Sequence, residues 1–126
     1  MPIVDMPLSH LQEYQGRNPR PEDFDDFWDR SLAEMRSLNA DVEIVPASFK
    51  ANFADCFDLF FTGVRGARIH AKLVRPKLLS KQARAVVRLH GYSSNSGDWV
   101  GHLSLAAAGF VVAALDCRGQ GGLSVE

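Results

Sequence analysis

Nothing in these 126 residues points to an unusual solvent or a strongly charged partner. No apolar run is long enough to span a bilayer. The first residues, MPIVDMPLSH, lack both the basic start and the apolar core of a secretory leader. A net charge of −1 provides no electrostatic footprint for nucleic acid or an anionic membrane, so neither is expected as a partner. Only two cysteines occur, Cys56 and Cys117, far apart and without metal-ligand spacing. They read as reduced core thiols, and the expected location is the cytoplasm. No metal site and no cofactor is implied, and no repeat or low-complexity segment is present. The composition that remains, 46% hydrophobic and 23% charged, suits one modest core and not two.

The most patterned stretch is 85–122, AVVRLHGYSSNSGDWVGHLSLAAAGFVVAALDCRGQGG. Ala85–Leu89 and Phe110–Leu115 are short valine-rich runs, the pattern of strands buried on both faces. Trp99–Ala108 between them reads as a helix, with Asp98 as its cap and Gly109 at its end. A crossover of that length suits two parallel strands. Both strands then end at the same sheet edge, where open α/β sheets place their sites. His90-Gly91-Tyr92 follows the first strand, and Asp116-Cys117-Arg118-Gly119-Gln120-Gly121-Gly122 follows the second.

Upstream, Gly16–Pro21 breaks any helix from the lead-in at Pro2–Gln15. Phe24, Phe27, Trp28, Leu32, Met35 and Leu38 recur at helical spacing, and this aromatic stripe is expected to dock on the sheet. The acidic residues around it, Glu22 to Asp29, read as a solvated face. Val42–Phe49 and Asn52–Thr62 read as strands, the second with Phe57, Leu59 and Phe61 on one face. A turn at Gly63–Gly66 leads to a third strand, where Ile69, Ala71 and Leu73 alternate with Arg68, His70 and Lys72. The alternation predicts one buried face and one wet face, with His70 on the wet one. Lys77–Arg84 reads as a basic, solvated connection. The fold class is therefore α/β, with a mixed sheet: an antiparallel meander followed by parallel strands.

HGY, then GDW at Gly97–Trp99, then DCRGQGG resemble the acetyl xylan esterase / cephalosporin-C deacetylase family of α/β-hydrolase serine esterases. Phe60–Pro76 resembles the hairpin that precedes these motifs in that family. The resemblance covers nearly the whole chain, yet family members are substantially longer than 126 residues. It implies the N-terminal half of an α/β-hydrolase fold, one incomplete domain over 1–126. Its parts would be a helical segment 1–41, a meander 42–76 and a βαβ unit 77–126. The resemblance also implies that the strand near 110–116 inserts between the hairpin and 85–89, and that the protein is a homo-oligomer. The implied substrates are small acetylated compounds, xylo-oligosaccharides or cephalosporin-like molecules.

Ester hydrolysis by serine needs an activated hydroxyl, an oriented base, and donors for the oxyanion. By resemblance, the backbone N–H of Tyr92 is one such donor, with Gly91 allowing close approach of the main chain. Arg118, Gly119 and Gln120 are expected to organise the floor of the site, and Arg118 is a candidate partner for the buried Asp116. His90 reads as structural, holding neighbouring main chain. No Gly-x-Ser-x-Gly pattern occurs. Ser93, Ser94 and Ser96 lie in a loop, and Ser124 has no strand-to-helix elbow, so nucleophile, acid and base are expected outside this chain. Two other readings stand beside this one: a peptidase-like α/β-hydrolase, or a non-catalytic binding or assembly module.

Overall fold

The computed structural model describes residues 5–79 and 82–125. The start of the lead-in, two positions of the 77–84 connection and Glu126 lie outside the described residues. The chain divides into two compact units, Met1–Ala33 and Glu34–Glu126. In the first, α1 is a short helix, Leu8–Glu13, and α2 begins at Phe24 and continues to Ser37. Phe24, Phe27 and Trp28 are exposed and pack on one another, Phe27 edge-on to Trp28 at 5.6 Å.

The second unit is built on a five-stranded sheet, ordered β1-β2-β3-β5-β4. The strands are β1 (Glu43–Pro46), β2 (Ala54–Thr62), β3 (Arg68–Pro76), β4 (Ala85–Leu89) and β5 (Val111–Leu115). Expected strand limits at 42–49 and 52–62 shrink at the ends, and Pro46, which has no N–H to donate, is the last residue of β1. β1, β2 and β3 form an antiparallel meander. The 2–3 turn carries two successive left-handed residues, Arg65 (φ 61) and Gly66 (φ 78). β5 pairs antiparallel with β3 and parallel with β4, so it inserts between them as the resemblance implied.

Cross-strand partners share a face. Val74 pairs with Val112, and both are fully buried beneath α3 (Val100–Ala107), the helix linking β4 to β5. Burying each valine stabilises the fold by roughly 2 kcal/mol. Ala47, Ala54, Cys56 and Ala106 complete this core, and the Trp99 ring stacks on Phe49 at 6.0 Å. Asp98 caps α3 as expected, its Oδ1 accepting the Gly101 N–H at 2.8 Å, and that bond holds its carboxyl below the ordinary value. The opposite face is covered unevenly. Ile69 and Ala71 are buried there, while Val87 and Leu89 on β4 are 69% and 68% exposed.

One expectation about β3 fails. Arg68, His70, Lys72 and Val74 alternate onto the face that α3 and the loops cover, and His70 is only 1% exposed. Its polarity reflects a buried hydrogen-bond network and not contact with water.

Candidate active site

The loops after β4 and β5 meet at one sheet edge, and histidine rings tie them together. His90 Nε2 accepts the Cys117 N–H at 2.8 Å, leaving Nδ1 to donate to the Gly91 carbonyl at 2.7 Å. The neutral ring thus spans the ends of both strands, the structural role expected of it. Beyond it, Gly91–Ser94 forms a turn closed by the Ser94 N–H on the Gly91 carbonyl at 3.3 Å. Ser93 is left-handed there (φ 57), and its N–H donates to Gln120 Oε1 at 2.7 Å. Gln120 therefore joins the second loop to the first. Tyr92 stands at the tip, 91% exposed. Among the described residues its N–H has no hydrogen-bond partner.

Asp116 organises what lies beneath. It is buried, and Oδ1 accepts the Ser96 N–H at 2.6 Å. Oδ2 accepts from His70 Nδ1 at 2.6 Å and from the Leu123 N–H at 2.9 Å. Burial pushes the Asp116 carboxyl up, but the Leu123, His70 and Ser96 bonds outweigh it and hold its pKa at about 2. Arg118 is not its partner. The guanidinium is exposed and donates to the Val64 carbonyl at 2.9 Å, bracing the 2–3 turn. The other ring nitrogen of His70, Nε2, lies 2.9 Å from Asp58 Oδ1. Each ring nitrogen of His70 thus faces a carboxylate.

The glycines after Gln120 are explained by close approach. A Cβ on Gly121 would lie 2.8 Å from the Ser94 carbonyl oxygen, and one on Gly122 would fall on the Asp116 carboxylate. Gly119 is left-handed (φ 72). Gly91 has open space where a Cβ would stand and makes no such approach within the chain. Two cavities flank the loop. One of about 340 Å³ is lined by Arg88, His90, Gly91 and Ser94; one of about 440 Å³ by Asp58, His70, Lys72 and Trp99. Lys72 Nζ also donates to the Gly97 carbonyl.

Ser124 lies close to His70 and Asp116, but the three do not form a catalytic triad. Its Oγ donates to the Asp116 carbonyl at 2.6 Å and accepts the backbone N–H of His70 at 2.9 Å, and the His70 ring nitrogens bond to Asp116 and Asp58 instead. Sequence reasoning missed Ser96, His102 and the Gly121–Gly122 packing. His102 and Ala106, four apart, mark the buried face of α3, which was a usable signal.

All 126 residues match the acetyl xylan esterase family. The chain belongs to that family. The backbone superimposes on acetyl xylan esterase 1 from Thermoanaerobacterium sp. JW/SL YS485 with a TM-score of 0.90 at 58% identity, covering 98% of this chain and 38% of that one. On the acetyl xylan esterase from Paenibacillus sp. R4 the TM-score is 0.84 at 31% identity, covering 96% and 39%. Dipeptidyl-peptidase 5 of Schizosaccharomyces pombe is 30% identical over 99 residues, 73% of this chain and 14% of that protein. The chain thus spans less than two fifths of either esterase and about a seventh of the peptidase. Its mixed sheet and helices match the N-terminal part of an acetyl xylan esterase α/β fold.

Proposed function

We propose that this acetyl xylan esterase segment supplies the oxyanion side of a Ser-His-Asp carboxylesterase that removes acetyl groups from small substrates, such as acetylated xylo-oligosaccharides or cephalosporin-like compounds. The observation that carries the reading is the Tyr92 peptide. Its N–H is without a partner among the described residues, at the exposed tip of the loop, while the next two N–H groups are occupied by Gln120 and Gly91. When a serine oxygen bonds to the acetyl carbon, the carbonyl π pair moves onto oxygen, and a fixed N–H lowers the energy of that oxyanion. Gly91, Arg118, Gly119 and Gln120 hold the loop and its floor. Homo-oligomeric assembly completes the reading.

The attacking groups belong outside these residues. His70, His90 and His102 each have both ring nitrogens engaged, and the Ser124 hydroxyl proton is directed to a carbonyl. We therefore expect no turnover of p-nitrophenyl acetate by this chain above a lysine- and histidine-corrected background. Loss of a serine nucleophile typically removes about six orders of magnitude. A robust rate abolished by Ser124→Ala overturns this. In a complete-length enzyme carrying the segment, Tyr92→Pro, which removes the N–H, should lower kcat by about two orders of magnitude, and Tyr92→Phe should change it little. Equal small effects exclude the main-chain role.

The similarity to dipeptidyl-peptidase 5 favours a second reading, a peptidase-like hydrolase. Release of acetate from acetylated xylo-oligosaccharide, set beside cleavage of a dipeptide p-nitroanilide by the same complete enzyme, separates the two.

A further inference from the structure

The oxyanion loop is gripped at one buried residue. Ser96 is buried, and both sides of its backbone are held by ionisable side chains. Its N–H donates to Asp116 Oδ1 at 2.6 Å, and its carbonyl accepts from His102 Nε2 at 2.8 Å. Each gripping group is itself fixed. Asp116 is held through Oδ2 by His70 and the Leu123 N–H. His102 Nδ1 accepts from Arg88 Nη1 at 2.8 Å, which leaves the ring proton on Nε2, facing Ser96. The same Arg88 nitrogen donates to the Gly101 carbonyl at 2.9 Å. A carboxylate at the end of β5 and an imidazole on α3 thus hold the Ser96 main chain between them. Main chain or water satisfies most buried peptides. Burying ionisable groups for the task carries a desolvation cost, which suits a loop whose geometry matters.

We propose that Asp116 and His102 are positioning residues, which clamp the Ser96 main chain on both sides and so hold the Tyr92 N–H four residues upstream in the geometry an oxyanion requires. The proposal rests on the reading of Tyr92 as an oxyanion donor. Neither side chain needs to reach the substrate.

Two measurements on this chain read the clamp without any chemistry. Nitrogen NMR of the His102 ring should show the proton on Nε2, and it should stay there in Arg88→Met, a change at an exposed side chain, because the Ser96 carbonyl can only accept. Amide exchange at Ser96 should quicken about tenfold or more in His102→Leu, while Val74 and Val112 stay protected; one net hydrogen bond is worth about that factor. His102→Gln, which restores a donor at the Nε2 position, should recover much of the protection. Unchanged Ser96 exchange in His102→Leu overturns the clamp. Should that variant unfold, seen as lost protection at Val74 and Val112, the tautomer decides: a ring proton on Nδ1, in the unchanged chain or in Arg88→Met, overturns it. In a complete-length enzyme, His102→Leu should lower kcat about 10- to 100-fold with KM nearly constant. A loosened Ser96 with unchanged kcat overturns the positioning role and leaves only the contact, whereas an unchanged kcat in Tyr92→Pro overturns the oxyanion reading on which it rests.

Discussion

Gly109 and Gly122 both have left-handed backbones, φ 88 and 106, but their surroundings differ. Nothing lies within 4 Å of a Cβ built on Gly109, whereas one on Gly122 falls on the Asp116 carboxylate. Gly109→Ala should therefore cost about 1 kcal/mol, the backbone penalty alone. Gly122→Ala adds displacement of a buried, hydrogen-bonded carboxylate and should cost about 3 kcal/mol or more. Urea denaturation of the two variants checks the comparison, and equal losses would show that the Asp116 packing is loose. The residue scale also explains the second loop's motif: Gln120 reaches the first loop, Arg118 braces the turn before β3, Gly121 lets the loop approach the Ser94 backbone, and Gly122 makes room for the Asp116 carboxylate.

At the scale of elements, β4 is the outer strand of the sheet, with no partner on its far side among the described residues. Natural edges discourage pairing with charges, prolines or bulges. Arg88 is the single charge between Ala85 and Leu89, and it is turned toward α3, bonded to Gly101 and His102. It does not guard the edge. Val87 and Leu89 stand exposed beside the unpaired ladder groups. The chain should therefore self-associate through β4 at concentrations of about tens of micromolar, and Val87→Lys should suppress it. Light scattering is the measurement; a monodisperse monomer of the unchanged chain at that concentration contradicts the expectation.

For the whole molecule, two buried groups make stability rise with pH. Asp116, with its folded pKa near 2 against 3.8 for the free carboxyl, contributes stability that is complete above pH 3.8 and lost as pH falls toward 2. That loss amounts to about 2 kcal/mol. Burial holds the His102 imidazole below its ordinary 6.5, despite the Ser96 carbonyl that favours its charge. Arg88 and Lys72 face it and oppose protonation, and Asp98 favours it. Below pH 6.5 the unfolded chain takes up this proton before the folded one, so stability declines from there downward. Denaturation midpoints across pH 2–8 should fall in two stages. His102→Gln should remove the upper stage and leave the lower one; a single stage near pH 3 in the unchanged chain would contradict the His102 assignment.

The elements were legible wherever the information was local. Two valine-rich runs and an Asp-capped helix place β4, α3 and β5 within a residue of where they stand, because side-chain period and end chemistry are written in adjacent positions. Phe57, Leu59 and Phe61 likewise announce one face of β2. The order of β5 between β3 and β4 came through family resemblance, since strand pairing across forty residues leaves no local mark. The same limit explains His70. Alternation in β3 says that two faces differ, but what covers each face is settled by loops fifty residues downstream, and these made the polar face a buried network. Asp116 was recognisable as a buried charge in need of partners, yet the nearer Arg118 was the wrong one. Only tertiary structure brings His70, Ser96 and Leu123 to its carboxylate, because the desolvated charge is satisfied by whichever donors the folded backbone delivers, at any sequence distance.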